Sequence, residues 1–277
     1  MTGAAHGVDS GRERAGAGVR PSPVFLAIVA CFAGSGAIVW ISGFSAGLGY
    51  RLAVFAFVVS GWLISLCLHE FGHAYTAWRY GDHAVAVRGY LTLNPARYAD
   101  AGLSIVLPMI FLVTGGIGLP GGAVYIDRGA IRGKWRHSFV SAIGPLLNLV
   151  LAAVLAVIIS RYGTISPQNL NSGVLGHLNF WAALSFLAFL QLTAAVFNFL
   201  PVPGLDGFGM WEPWLPRPFA AAAGRVGALG YLILIGLLWI PAVNRAFFDG
   251  IFHLTDALGI NGFAIDAGRA MFEFWSH

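Results

Sequence analysis

His69-Glu70-Phe71-Gly72-His73 puts two imidazoles four residues apart, with a carboxylate beside the first. On a helix, residues four apart lie about 40° from eclipsed, so both rings can reach one ion and Glu70 can reach a water next to it. The chemistry this suits is metal-assisted hydrolysis of a peptide bond, with a zinc ion at the imidazoles and the carboxylate moving protons. Two imidazoles leave such a site one donor short, because a catalytic zinc usually keeps three protein ligands and one open position. The candidate for the third is Asp206, within Asn198-Phe199-Leu200-Pro201-Val202-Pro203-Gly204-Leu205-Asp206-Gly207. Pro201 and Pro203 forbid a regular helix there, and Gly204 and Gly207 allow unusual backbone angles. The plainer reading of this run is a helix-ending turn with a capping aspartate.

Two further segments carry candidates. Asn148 follows Gly144-Pro145 inside an apolar run. It can stabilise a developing oxyanion as a catalytic group, or make a hydrogen bond between two helices. Gly121-Gly122-Ala123-Val124-Tyr125-Ile126 reads as a short strand able to pair with an extended substrate, the alternative being a structural loop. Cys31 and Cys67 sit in apolar runs and read as small buried hydrophobes, too few for a disulfide framework. His137, His177 and His253 are isolated and receive no role.

The elements that must position these residues are membrane helices. Of 277 residues 57% are hydrophobic and only 10% charged, where a soluble domain carries about 25% charged residues, so lipid must solvate part of the chain. The net charge of +4 is spread between apolar runs, a pattern that orients membrane proteins and gives no reason to expect nucleic acid. Runs long enough to cross the hydrocarbon core are 24–41, 52–68, 140–160, 180–200 and 226–243. A sixth, 103–119, is interrupted by Pro108, Gly115, Gly116 and Gly118. If that run is re-entrant and the N-terminus cytoplasmic, twelve of the sixteen Lys and Arg residues fall inside; if it crosses, nine do. The positive-inside rule favours the re-entrant form. It also brings His69, His73 and Asp206 to the cytoplasmic ends of their helices. The expectation is an all-α polytopic membrane protein of about five to six transmembrane helices, with a re-entrant segment and a short membrane-associated β element. Residues 1–23 read as a disordered cytoplasmic tail, 24–245 as the transmembrane core, and 246–277 as an amphipathic, peripheral segment.

These motifs resemble the site-2 protease family of intramembrane zinc metalloproteases, in its compact prokaryotic branch without PDZ or CBS domains. The likeness rests on His69–His73, on Leu91-Thr-Leu-Asn94-Pro95 with Asp100, on Gly144-Pro145 with Asn148, and on Pro203-Gly204-Leu205-Asp206-Gly207, in that order over residues 52–210. The resemblance implies one zinc ion held by His69, His73 and Asp206, with Glu70 as catalytic acid–base. It implies a multi-pass protein of the cell membrane acting on membrane-spanning proteins such as anti-sigma factors or membrane-anchored regulators. The chain departs from the family pattern around Asp206, where Gly204 precedes Leu205 and Phe208 follows Gly207. Other readings are a non-catalytic membrane adaptor of the same fold, which should lack Glu70 or a ligand, and a membrane-anchored metalloprotease cutting soluble segments. The second would take its third ligand from Glu212 or Glu273, the glutamates that follow the histidines.

Overall fold

The computed structural model describes residues 19–43, 47–98, 109–110, 112, 124–163 and 176–275. Helix α1 (Pro23–Ser42) begins where the Ser22 side chain accepts a hydrogen bond from the Phe25 amide (3.1 Å), with Pro23 in the first turn. Helix α2 (Leu48–Arg79) has 32 residues, about 48 Å at a helical rise of ~1.5 Å per residue. That exceeds the ~30 Å hydrocarbon core, so α2 is long enough to cross and carries its two histidines in its second half. After a short turn, α3 (Ala84–Val87), the chain reaches α4 (Lys134–Tyr162) and α5 (Leu178–Phe199). The remainder is α6 (Asp206–Trp211), α7 (Arg217–Arg225), α8 (Gly227–Leu238), α9 (Pro241–Ala257) and α10 (Gly262–Phe272).

Helices α1, α2, α4 and α5 are long and apolar enough to cross a membrane, and the bent pair α8–α9 makes a fifth if counted as one span. The run expected to cross continuously at 226–243 does not do so as one rod. Helix α8 stops at Leu238, Pro241 starts α9, and the two meet at 91°. A proline has no amide to continue the ladder, so it opens a helix more readily than it extends one.

Helix α5 is the hub. Of its apolar window 89% is buried, with Phe186, Leu190 and Phe197 fully enclosed. Helix α2 approaches it at Gly61, where an added Cβ would come within 2.6 Å of Leu187. Helix α10 approaches from another side at Gly268, where a Cβ would strike the Ala182 backbone. Helices α2 and α4 run antiparallel, since His73 meets Val140 while His69 meets Asn148.

Among the described residues there is no β-strand. Residues 124–126 lie outside any helix with no ladder partner, and 121–123 fall outside the described residues. The short membrane-associated β element is therefore absent from what is described: a lone segment with no neighbouring strand cannot form a sheet. The 103–119 run, save Met109, Ile110 and Leu112, also lies outside the described residues, as do residues 1–18.

Candidate metal centre

Buried near the C-terminal half of α2, His69, Glu70 and His73 are 4%, 2% and 5% exposed. Both rings are held from behind. His69 Nδ1 lies 3.2 Å from Asn148 Oδ1 on α4, and His73 Nδ1 lies 2.6 Å from the Val140 carbonyl. An amide or peptide oxygen can only accept, so each Nδ1 carries the proton and each Nε2 presents a lone pair. Asn148 thus makes the interhelical hydrogen bond, and it makes it to a histidine of the HExxH motif.

Asp206 arrives by a different route. After α5 ends at Phe199, Val202 donates to the Leu200 carbonyl (2.8 Å) and Leu205 to that of Val202 (3.0 Å). Gly204 has a φ of +99°, which residues with a Cβ rarely adopt. The turn delivers Asp206 as the first residue of α6, which is anchored to α4. Ser138 Oγ donates to the Met210 carbonyl (2.6 Å), and Trp214 Nε1 donates to Ser138 Oγ (2.9 Å). Arg128 forms an ion pair with Glu212 beside this contact. Asp206 Oδ2 ends 3.1 Å from His69 Nε2 and 3.3 Å from His73 Nε2, and the two Nε2 atoms are 3.1 Å apart.

These three atoms lie within 4.8 Å of one another and can hold one metal ion. With both protons on Nδ1, three lone-pair donors converge with no hydrogen among them, and only a cation relieves that repulsion. Their separations suit zinc: tetrahedral bonds of about 2.0–2.1 Å require ligand–ligand edges of about 3.3–3.4 Å. The approach of α4 leaves no spare room. A Cβ at Gly144 would collide with Nε2 of both histidines.

Glu70 stands beside the trio with Oε1 at 3.9 Å from His69 Nε2, while its Oε2 accepts from the Val124 amide at 3.1 Å. Sequence reasoning singled out residues 121–126 but gave them to the substrate; no local signal marks an amide as a partner for a carboxylate 54 residues away. Cys67 is buried and free, and its carbonyl accepts from the Tyr98 hydroxyl at 3.4 Å. Glu212 and Glu273 are paired with Arg128 and Arg269 and take no part in the trio.

The comparisons agree with this geometry. The profile of peptidase family M50 matches residues 54–238. "Putative zinc metalloprotease Rip2" of Mycolicibacterium smegmatis is 44% identical over 258 residues, 93% of this chain and 95% of that protein. Its namesake in Mycobacterium tuberculosis H37Rv is also 44% identical, with the same coverage. "Putative zinc metalloprotease YwhC" of Bacillus subtilis is 28% identical over 201 residues, 70% of this chain and 85% of that protein. No solved structure matches. A chain that converges two imidazoles and a carboxylate among membrane-length helices, and that matches this profile over most of its length, belongs to peptidase family M50, the site-2 protease family, and is a multi-pass zinc metalloprotease.

Proposed function

We propose that this protease cuts membrane-spanning proteins, such as anti-sigma factors or membrane-anchored regulators, within or beside the bilayer. The observation that carries this reading is the burial of Glu70, His69 and His73 on a helix long enough to span the membrane. A site so placed is reached most directly by a substrate that is itself in the bilayer. Intramembrane ionisable groups are costly, and their retention usually marks function.

In the proposed mechanism His69, His73 and Asp206 hold the ion. A zinc ion there supplies a Lewis acid for the scissile carbonyl and acidifies water toward neutral pH. Glu70 takes the proton of the attacking water at Oε1 and delivers it to the leaving nitrogen as the C–N bond breaks. Asn148 and the Val140 carbonyl keep both imidazoles in the tautomer that offers Nε2. We place the N-terminus and this end of α2 on the cytoplasmic side. Tyr98 and Val124, which flank the 103–119 run, both sit against α2 between Cys67 and Glu70. That placement supports a run that enters and leaves on one side.

The test uses purified wild type and Glu70→Gln in detergent, a panel of single-span peptides, and a soluble casein. We expect both proteins to bind one zinc and only wild type to cut the single-span peptides. Cleavage of casein alone would overturn the intramembrane reading, and equal cleavage by Glu70→Gln would overturn the role of Glu70.

A further inference from the structure

Residues 124–127 are tied down at Val124, Tyr125 and Asp127, the first on one side of the backbone and the other two on the opposite side. Val124 donates inward to Glu70 Oε2 (3.1 Å). The Tyr125 carbonyl faces the other way and accepts from Arg88 Nη1 (3.0 Å), whose guanidinium also lies 4.6 Å from the Tyr125 ring centroid. The Asp127 amide donates to Asp82 Oδ2 (2.7 Å). Asp82 is 1% exposed, and its other oxygen accepts from the Ala84 amide (3.0 Å) at the start of α3. Alternating direction is what extended backbone provides. The side chains follow: Val124 and Ile126 pack against the cluster of Ala74, Val85 and Val140, while Tyr125 is 60% exposed. The result is a strap, fixed on its outer edge by Asp82 and Arg88 of the loop after α2 and hydrogen-bonded on its inner edge to Glu70.

That contact separates the two oxygens of Glu70. Oε2 is occupied by the Val124 amide, and Oε1 faces His69 Nε2 at 3.9 Å. A carboxylate in apolar surroundings turns readily about its last torsion. One charge-assisted hydrogen bond from a backbone amide stops that rotation, and a backbone donor has no rotamer to lose. We propose that residues 124–127 are the positioning element of Glu70. The Val124 amide holds Oε2 so that Oε1 alone addresses the metal trio, and Asp82 and Arg88 hold that amide in place. This inference rests on the reading of Glu70 as the proton-moving group.

The experiment compares wild type, Glu70→Gln, Val124→Pro, Arg88→Met, Arg88→Lys and the Val124→Pro/Arg88→Met double variant, all loaded with zinc, on one single-span peptide. Removing a partner that orients an active-site group typically costs about 10–100-fold. We expect that loss in kcat for Val124→Pro, with KM and zinc content at wild-type values. Arg88→Met should lose less, Arg88→Lys should recover most of it, and the double variant should be no worse than Val124→Pro because both changes act through one amide. A readout independent of turnover is the Val124 amide resonance in zinc-free, 15N-valine-labelled protein, which should shift and exchange faster in Glu70→Ala. A loss carried wholly by KM would make the strap a substrate contact and overturn the proposal. So would loss of zinc from both Val124→Pro and Arg88→Met, or an amide resonance indifferent to Glu70. If Glu70→Gln is active, the reading beneath the inference fails; if it is dead while Val124→Pro keeps wild-type kcat, the inference fails alone.

Discussion

At the scale of single residues, the centre depends as much on what is missing as on what is present. Gly144 stands where a methyl group would meet Nε2 of both histidines. Gly144→Ala must therefore push α4 away from α2 or displace a ring, and we expect zinc content measured by atomic absorption to fall severely, with helix content by circular dichroism retained. Full zinc occupancy in Gly144→Ala would show that α4 can retreat without loss. Asn148 acts at one remove. Replacing it with Ala leaves His69 free to rotate or to change tautomer, so zinc affinity should fall about 10–100-fold, with the ion recoverable at high zinc concentration. Unchanged affinity in a chelator competition would argue that Asn148 serves substrate chemistry instead. The trio itself was legible because His69 and His73 follow a fixed helical spacing, and because prolines flank Asp206. The partners behind the rings were less so. The Val140 carbonyl belongs to every residue type equally, so nothing in the sequence marks it as an acceptor for His73.

At the scale of elements, the third ligand depends on how α6 is moored. Asp206 is carried on a six-residue helix, too short to hold itself in place. Its fixed points are Ser138 between Met210 and Trp214, and the ion pair of Arg128 with Glu212. Lys134 adds its ammonium 5.5 Å from the Trp214 ring centroid. Ser138→Ala removes a donor to one partner and an acceptor for the other without changing the backbone. We expect it to raise the zinc dissociation constant by roughly tenfold, in the range typical of lost orienting contacts, while leaving the thermal midpoint of the metal-free protein close to wild type. A drop in that midpoint with zinc affinity intact would make Ser138 a folding residue only. The long apolar helices were readable from hydropathy alone, since lipid imposes a length on them. The break between α8 and α9 was harder to see, because Pro241 falls within an otherwise continuous apolar run and a proline can kink a span as well as end it. The short strand read at 121–126 finds no support among the described residues, because a run of residues suited to extended backbone says nothing of whether a neighbouring strand exists.

At the scale of the whole molecule, the fold separates the metal end from the end that holds the bundle closed. Helix α10 packs beside Ala182 near the start of α5, and Tyr50 near the start of α2 reaches Met271 Sδ at 3.3 Å. The metal trio lies toward the other end of α2, on α2 and α6, whereas the atoms nearest a Cβ at Gly268 belong to Ala182 and Phe186 of α5. Ile265 and Phe272 of α10 are 1% and 0% exposed, so this C-terminal helix completes the core around α5. Between membrane helices such closure comes from close packing, because lipid offers apolar side chains nearly as good a home. Gly268→Leu places a branched side chain where even a Cβ strikes the Ala182 backbone, and overpacking of this kind typically costs about 1–3 kcal/mol. We expect its thermal midpoint in detergent to fall by several degrees, the direction such a cost implies. Zinc affinity of the folded protein should stay at the wild-type value, because the packing lost is at the far end of α2. If Gly268→Leu loses zinc in parallel with its stability, the two ends are coupled through α5, and the metal site reports on the packing of the entire bundle.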